Sequence, residues 1–237
     1  MRIIFIRHGD PDYENDTLTE KGWREAELLS KRVVHWDVKD FYCSPLGRAQ
    51  DTASCSLKAM NRTAVTLPWM KEFYYPVTDP CTGRFGVPWD FMPEYWTKVP
   101  EFYDKDRWTD APLLLENAEL KPAAAEAFKG FDALLASYGY ERDGECYHVA
   151  KHNDDTIVIF CHLGAALLMV GHLCGIAPSL LWHSVFLPTT SVTVLNSEER
   201  QNDTAFFRIQ MLGDTRHLHD GGEPVSIAGS YAEPFQG

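Results

Sequence analysis

The chain has 237 residues, 45% hydrophobic and 24% charged, which fits one globular domain carrying an insertion and is long enough for a sizeable core. Its formal net charge of −12 argues against nucleic acid or an anionic membrane surface as the main partner. It also means that an anionic substrate has to be met by a local positive pocket. The six cysteines (Cys43, Cys55, Cys81, Cys146, Cys161 and Cys174) form no C-x-x-C pair and no regular spacing, so a reduced, cytoplasmic setting is expected over a disulfide framework.

Arg2–Ile6 at the start reads as a short strand buried on both faces, because its apolar residues do not alternate with polar ones. This run is too short for a signal peptide and ends on charge at Arg7. In "TLTEKGWREAELLSKRV", Thr17 and Glu20 stand at capping-box spacing, and Trp23, Ala26, Leu29 and Val33 mark one helical face. "DFYC" is a second strand. It runs into "SPLGRAQDTASCSLKAM", where Ser44 is the expected N-cap and Pro45 the first helical residue. "AVTL" is a third strand. Residues 73–121 break the pattern with prolines, glycines and aromatics, and are expected to be an insertion or lid within a single domain spanning 1–237. A helix is expected to begin at Pro122, and "TIVIFC" is the clearest buried strand of all. The apolar stretch "LGAALLMVGHLCGIAPSLLW" is broken by His172, glycines and Pro178, so it reads as a buried helix plus a turn and not as a membrane span. "SVTVLN" and "AFFRIQML" close the sheet as a hairpin, and the last stretch is expected to be extended. Strands alternating with helices imply an α/β fold, a three-layer α/β/α sandwich on a mostly parallel central sheet.

Two of these strands end alike. One runs into Arg7-His8-Gly9 and the other into His162-Leu163-Gly164. Ligands of open α/β sheets sit at the carboxyl ends of strands, so the two histidines can share one pocket, and a glycine after each lets the backbone turn close to a ligand. Either histidine alone is more simply a strand-end residue satisfied by hydrogen bonds. Arg48 adds a guanidinium to the first turn of a helix whose start lies at the same edge, which makes an oxyanion site. Arg7 and Arg48 can hold a phosphoryl group, a neutral His8 can attack phosphorus, and His162 can donate to a phosphoryl oxygen. Positioning and electrostatics dominate phosphoryl transfer, so no metal or cofactor is required. Cys161, His162, His172 and Cys174 are possible metal ligands, but their spacing matches no common zinc pattern.

"FIRHGD", "LTEKG", "YCSPLGRAQDTA", "VIFCHLG" and "GDTRHL" resemble, in order, the motifs of the histidine phosphatase superfamily, the phosphoglycerate-mutase-like fold. The resemblance implies a phosphomonoester hydrolase with a covalent phosphohistidine on His8, the phosphoryl group bound by Arg7 and Arg48 and the pocket completed by His162. It implies an acidic proton donor on the loop after the third strand, where Glu72 stands, and a substrate pocket that includes Gly9 and Leu163. A second glycine often follows the late histidine in that family; here the residue is Leu163.

Between residues 73 and 120 the chain has four basic residues (Arg84, Lys98, Lys105 and Arg107) against nine acidic ones, with eleven aromatics. An acidic, aromatic lid suits a small monophosphate with an apolar or ring-bearing leaving group and repels a multiply charged one. The aromatics can equally form a small core of their own. Two alternatives stay open: a phosphoglycerate-mutase-type phosphotransferase, and a non-catalytic phosphate-binding regulatory module. The expected partner is a small-molecule phosphomonoester, with no nucleic acid and no membrane.

Overall fold

Ile3, Ile4, Phe5 and Ile6 are all buried and lie in the middle of the molecule, in strand β1 (Arg2–Arg7) of an eight-stranded sheet. The structure is a computed structural model, described over residues 1–201 and 203–236. Chain order continues with β2 (Pro11–Asp12), β3 (Thr17–Leu18), α1 (Glu20–Val33), β4 (Asp40–Cys43), α2 (Gly47–Met60) and β5 (Ala64–Thr66). The segment that follows holds β6 (Val77–Thr78), β7 (Phe85–Gly86), α3 (Pro93–Trp96) and single 3₁₀ turns. Then come α4 (Leu120–Ser137), β8 (Tyr140–Asp143), β9 (Cys146–Val149), β10 (Thr156–Cys161), α5 (Leu163–Cys174) and α6 (Pro178–Ser184). Strands β11 (Val192–Gln201) and β12 (Thr204–Asp214) and helix α7 (Arg216–Gly221) end the order.

The sheet order is β5-β4-β10-β1-β11-β12-β9-β8. The first four strands are parallel, and the other four continue the sheet antiparallel. Period-2 geometry sends Ile3 and Phe5 to one face and Ile4 and Ile6 to the other. Leu29 and Val33 of α1 and Ala49 and Ala53 of α2 cover the second face. The first is covered by α4 through Ala127, Phe131 and Leu135 and by α5 through Leu167 and Val170. The result is the expected α/β/α sandwich. No helix among the described residues is long and apolar enough to cross a membrane.

Several local expectations give way. Thr17 is taken into β3, and Thr19 caps α1 by accepting from the Gly22 N–H at 3.1 Å. Trp23 is 37% exposed, because the buried face of α1 runs through Gly22, Glu25, Ala26, Leu29 and Val33. Helix α2 starts at Gly47 after Leu46, so Ser44 and Pro45 precede it, and α4 starts two residues before Pro122. The hairpin of β8 and β9 is invisible to an apolar-run search, since "YERD" and "CYHV" form a polar sheet edge. The tail is partly helical, in α7.

Candidate active site

Four parallel strands deliver their carboxyl ends to one edge. Arg7 pairs with Cys161, Phe160 with Cys43, and Cys43 with Thr66. Backbone bonds carry the ladder one residue further, from His8 N–H to the Cys161 carbonyl at 2.9 Å and from Ser44 N–H to the Phe160 carbonyl at 2.9 Å. His8, Ser44 and His162 therefore emerge side by side.

The His8 and His162 rings lie 5.1 Å apart, centroid to centroid, and are 2% and 0% exposed. His8 Nδ1 is 2.7 Å from the Gly9 carbonyl. A carbonyl only accepts, so Nδ1 carries the hydrogen and Nε2 presents a lone pair. Burial first, and the Arg7 guanidinium second, with Arg48 adding to it, hold the His8 imidazole well below its ordinary pKa and so neutral. His162 is pushed down in the same way by burial, then by His8 and the two arginines. Its Nε2 is 2.7 Å from the Ser44 hydroxyl, which also accepts from the Leu46 N–H at 3.2 Å, and its Nδ1 is buried with no partner among the described residues. Gly9, like the buried His8 and His162, is not among the residues that line the cavity over this edge. Its N–H donates to Thr52 Oγ1 at 2.9 Å, and a Cβ there would come within 2.8 Å of the Gly22 carbonyl oxygen.

Arg7 is gripped from two directions, its Nη1 donating to the Leu187 carbonyl at 2.6 Å and its Nη2 to the Ala228 carbonyl at 3.0 Å. Arg48 Nη1 is held by Asp16 at 2.6 Å, and the other Asp16 oxygen accepts from the Gly47 N–H at 2.7 Å. The ring of Tyr13 lies 5.4 Å from the Arg48 guanidinium. The Nε atoms of both arginines are buried without a partner among the described residues.

Glu72 follows a 3₁₀ turn (Pro68–Met70) at the end of β5. Its Oε1 accepts from the Phe73 N–H at 2.8 Å and the Ala165 N–H at 3.0 Å, while Oε2 has only a long bond, 3.4 Å, to the Gly164 N–H. The carboxyl thus sits at the N-terminus of α5. Burial is the largest influence on it and raises its pKa, against the pull of these N–H groups and of Arg48 and Arg7. Gly164 is what lets this assembly close: a Cβ there would lie 2.3 Å from Trp89 Cη2 and 2.8 Å from Glu72 Oε1. Gly164→Ala is expected to lose about 1–3 kcal/mol of stability by overpacking. A denaturant midpoint equal to wild type would show that Trp89 moves away at no cost.

A cavity of about 770 Å³ opens over this edge. Arg7, Arg48, Glu72 and Leu163 line it, together with Tyr13, Leu46, Lys71, Tyr74, Arg84, Val87, Trp89, Asp90 and the tail residues Gly229, Ser230 and Tyr231. Two expectations change here. Of the acidic residues between 73 and 120, Asp90 alone lines the cavity, so most of the negative balance of that segment lies outside it. Of the aromatics, only Tyr74 and Trp89 line the cavity. Phe73, Phe91, Phe102 and Trp108 are buried in the main core, where Trp182 stacks on Phe73 at 5.5 Å and meets Trp108 edge-on at 5.1 Å. The wall desolvates the Asp90 carboxyl and pushes it up to about 6.

Ser44, Asp16, Tyr13, Lys71, Arg84 and the tail were not singled out from sequence as parts of the site. Only Ser44 left a trace, as a helix cap. The possible metal ligands scatter: His172 pairs with Asp132 at 2.8 Å and stacks on Phe128, far from the His162–Ser44 pair in bonding terms. Among the described residues no three His, Cys, Asp or Glu side chains are grouped for a metal.

The fold and the strand-end motifs define a phosphoglycerate-mutase-like α/β sandwich. The sequence profile of the histidine phosphatase superfamily (branch 1) matches residues 3–82 of this chain. It is 25% identical over 214 residues to phosphoserine phosphatase 1 of Hydrogenobacter thermophilus, a match covering 85% of this chain and 89% of the relative. It is 40% identical over 77 residues to a 2,3-bisphosphoglycerate-dependent phosphoglycerate mutase of Thermoplasma acidophilum, covering 28% of this chain and only 38% of the mutase's length. A solved mycobacterial glucosyl-3-phosphoglycerate phosphatase superposes with a TM-score of 0.59 at 17% identity, covering 90% of this chain and 98% of that one.

Proposed function

We propose that the chain is a phosphomonoester hydrolase working through a phosphohistidine on His8, with residues 73–121 acting as a lid on a single domain spanning 1–237. The observation that carries this reading is the set of buried nitrogens without protein partners around a neutral His8: Nε of Arg7, Nε of Arg48 and Nδ1 of His162. Buried donors without acceptors are costly, and a tetrahedral dianion supplies the acceptors they lack. The relatives named phosphatases support hydrolysis of a small phosphorylated substrate, and cysteines that form no disulfide among the described residues suit the cytoplasm.

In the first step His8 Nε2 attacks phosphorus. The N–P bond forms as the P–O bond to the leaving group breaks, and Glu72 gives its proton to the departing oxygen. The weakly held Oε2 is the oxygen free to carry that proton. Arg7 and Arg48 spread the charge of the equatorial oxygens, and His162 donates from Nδ1 in the tautomer in which its Nε2, 2.7 Å from the Ser44 hydroxyl, accepts. In the second step water attacks phosphorus, Glu72 takes the water's proton, the N–P bond breaks, and phosphate leaves with His8 and Glu72 restored.

A panel of monophosphates assayed with excess chelator tests the reading. Turnover is expected to persist, because side chains supply the positive charge, and hydrolysis of 3-phosphoglycerate is expected to outpace its isomerisation. Activity lost to chelation and restored by one particular metal would overturn the mechanism, and a mutase rate above the hydrolysis rate would overturn the reaction class.

A further inference from the structure

The cavity is much larger than a phosphate needs, and its remaining walls carry two cations. The guanidinium of Arg84, next to strand β7, donates to the Tyr231 hydroxyl of the tail and to no other side chain among the described residues. Lys71 lies 5.7 Å from the Tyr75 ring centroid. Neither is in an ion pair among the described residues, although Arg24, Arg32, Arg48, Arg107, Arg200 and Arg208 all are. In a chain with 34 acidic residues against 22 basic ones, these two cations face a cavity without an ion-pair contact among the described residues, and the Asp90 carboxyl in the same wall acts on Arg84 through space.

The Tyr231 hydroxyl is a neutral acceptor on a 73% exposed side chain. A carboxylate in its place makes charge-assisted bonds to the guanidinium, roughly twice as strong. The cavity walls also include Val87, Trp89 and Leu163, which suit an apolar or ring-bearing body. We propose that Arg84, assisted by Lys71, is the specificity-determining residue of a second subsite, so that the substrate is a phosphomonoester whose leaving group carries a carboxylate at the end away from the phosphate. This rests on the phosphatase reading above.

Three substrates test it: phenyl phosphate, 4-carboxyphenyl phosphate and 4-(aminomethyl)phenyl phosphate, each with wild type, Arg84→Gln and Arg84→Lys. Hydrolysis of phenyl phosphate by wild type tests the phosphatase reading by itself. Wild type should prefer the carboxylate over phenyl phosphate by about tenfold or more in kcat/KM, mostly through KM. Comparing the ratio between variants cancels the intrinsic reactivities of the leaving groups. Arg84→Gln should bring the preference close to the intrinsic ratio of the two esters, and Arg84→Lys should keep part of it. A preference that survives in Arg84→Gln overturns the assignment, as does the absence of any preference in wild type. A wild-type preference for the aminomethyl compound overturns it too, and assigns the subsite to Asp90. Thermal melts of both variants report whether they fold.

Discussion

His8→Ala is expected to cut turnover on the order of ten-thousandfold or more, to the trace that the arginines and bound water sustain alone. The magnitude follows from the site. Burial and two guanidinium groups keep the imidazole neutral, and the Gly9 carbonyl fixes which nitrogen is free, so no side chain nearby replaces it. The only other imidazole within reach, His162, has its Nε2 committed to Ser44. Wild-type enzyme quenched in acetone or base during turnover should carry phosphate on His8 that is stable to alkali and labile to acid. A His8→Ala protein that keeps more than a trace of activity, or label found on another residue, would remove His8 from the centre of the mechanism.

Glu72→Gln should cost roughly a hundredfold to ten-thousandfold with alkyl phosphates. An alkoxide is a poor leaving group and needs a proton as the bond breaks; p-nitrophenolate does not. The variant should therefore form phosphohistidine from an aryl phosphate at close to the normal rate, then stall, because the amide takes no proton from water. A burst of one p-nitrophenol per active site followed by slow turnover is the expected trace. The substituted amide still offers an oxygen to the Phe73 and Ala165 N–H groups that Glu72 serves, so the start of α5 is preserved. Equal losses for alkyl and aryl substrates in single turnovers would show that the proton comes from elsewhere, with Asp90 the next carboxyl in the cavity wall.

What the sequence made legible is local. Arg7, His8 and His162 stand directly after apolar runs whose lack of alternation marks strands covered on both faces, so their placement at one edge follows from sheet geometry. Glu72 needed the family resemblance, since an acidic residue on an irregular loop has no signature of its own. Ser44 was misread because capping and bonding to His162 use the same hydroxyl, and the latter contact joins residues 118 apart. The charge of residues 73–120 is ambiguous for a similar reason: composition counts those residues without saying which way they face. Tyr231 and Ala228 were invisible, as their segment has neither periodicity nor capping pattern, and it is placed by contacts such as that of Ser226 with Asp10.

Strand β1 has β10 on one side and β11 on the other, and Arg7 is finished by carbonyls of Leu187 and Ala228. The strand partners of Arg7 and the carbonyls that hold its guanidinium thus lie more than 150 residues downstream of it. A ribosome adding about 5–20 residues per second needs roughly 8–30 seconds to make the first partner strand for "IIFI". Folding of this chain is therefore governed by non-local closure and should be slow for its size, with β1 the stretch most in need of a chaperone while translation continues.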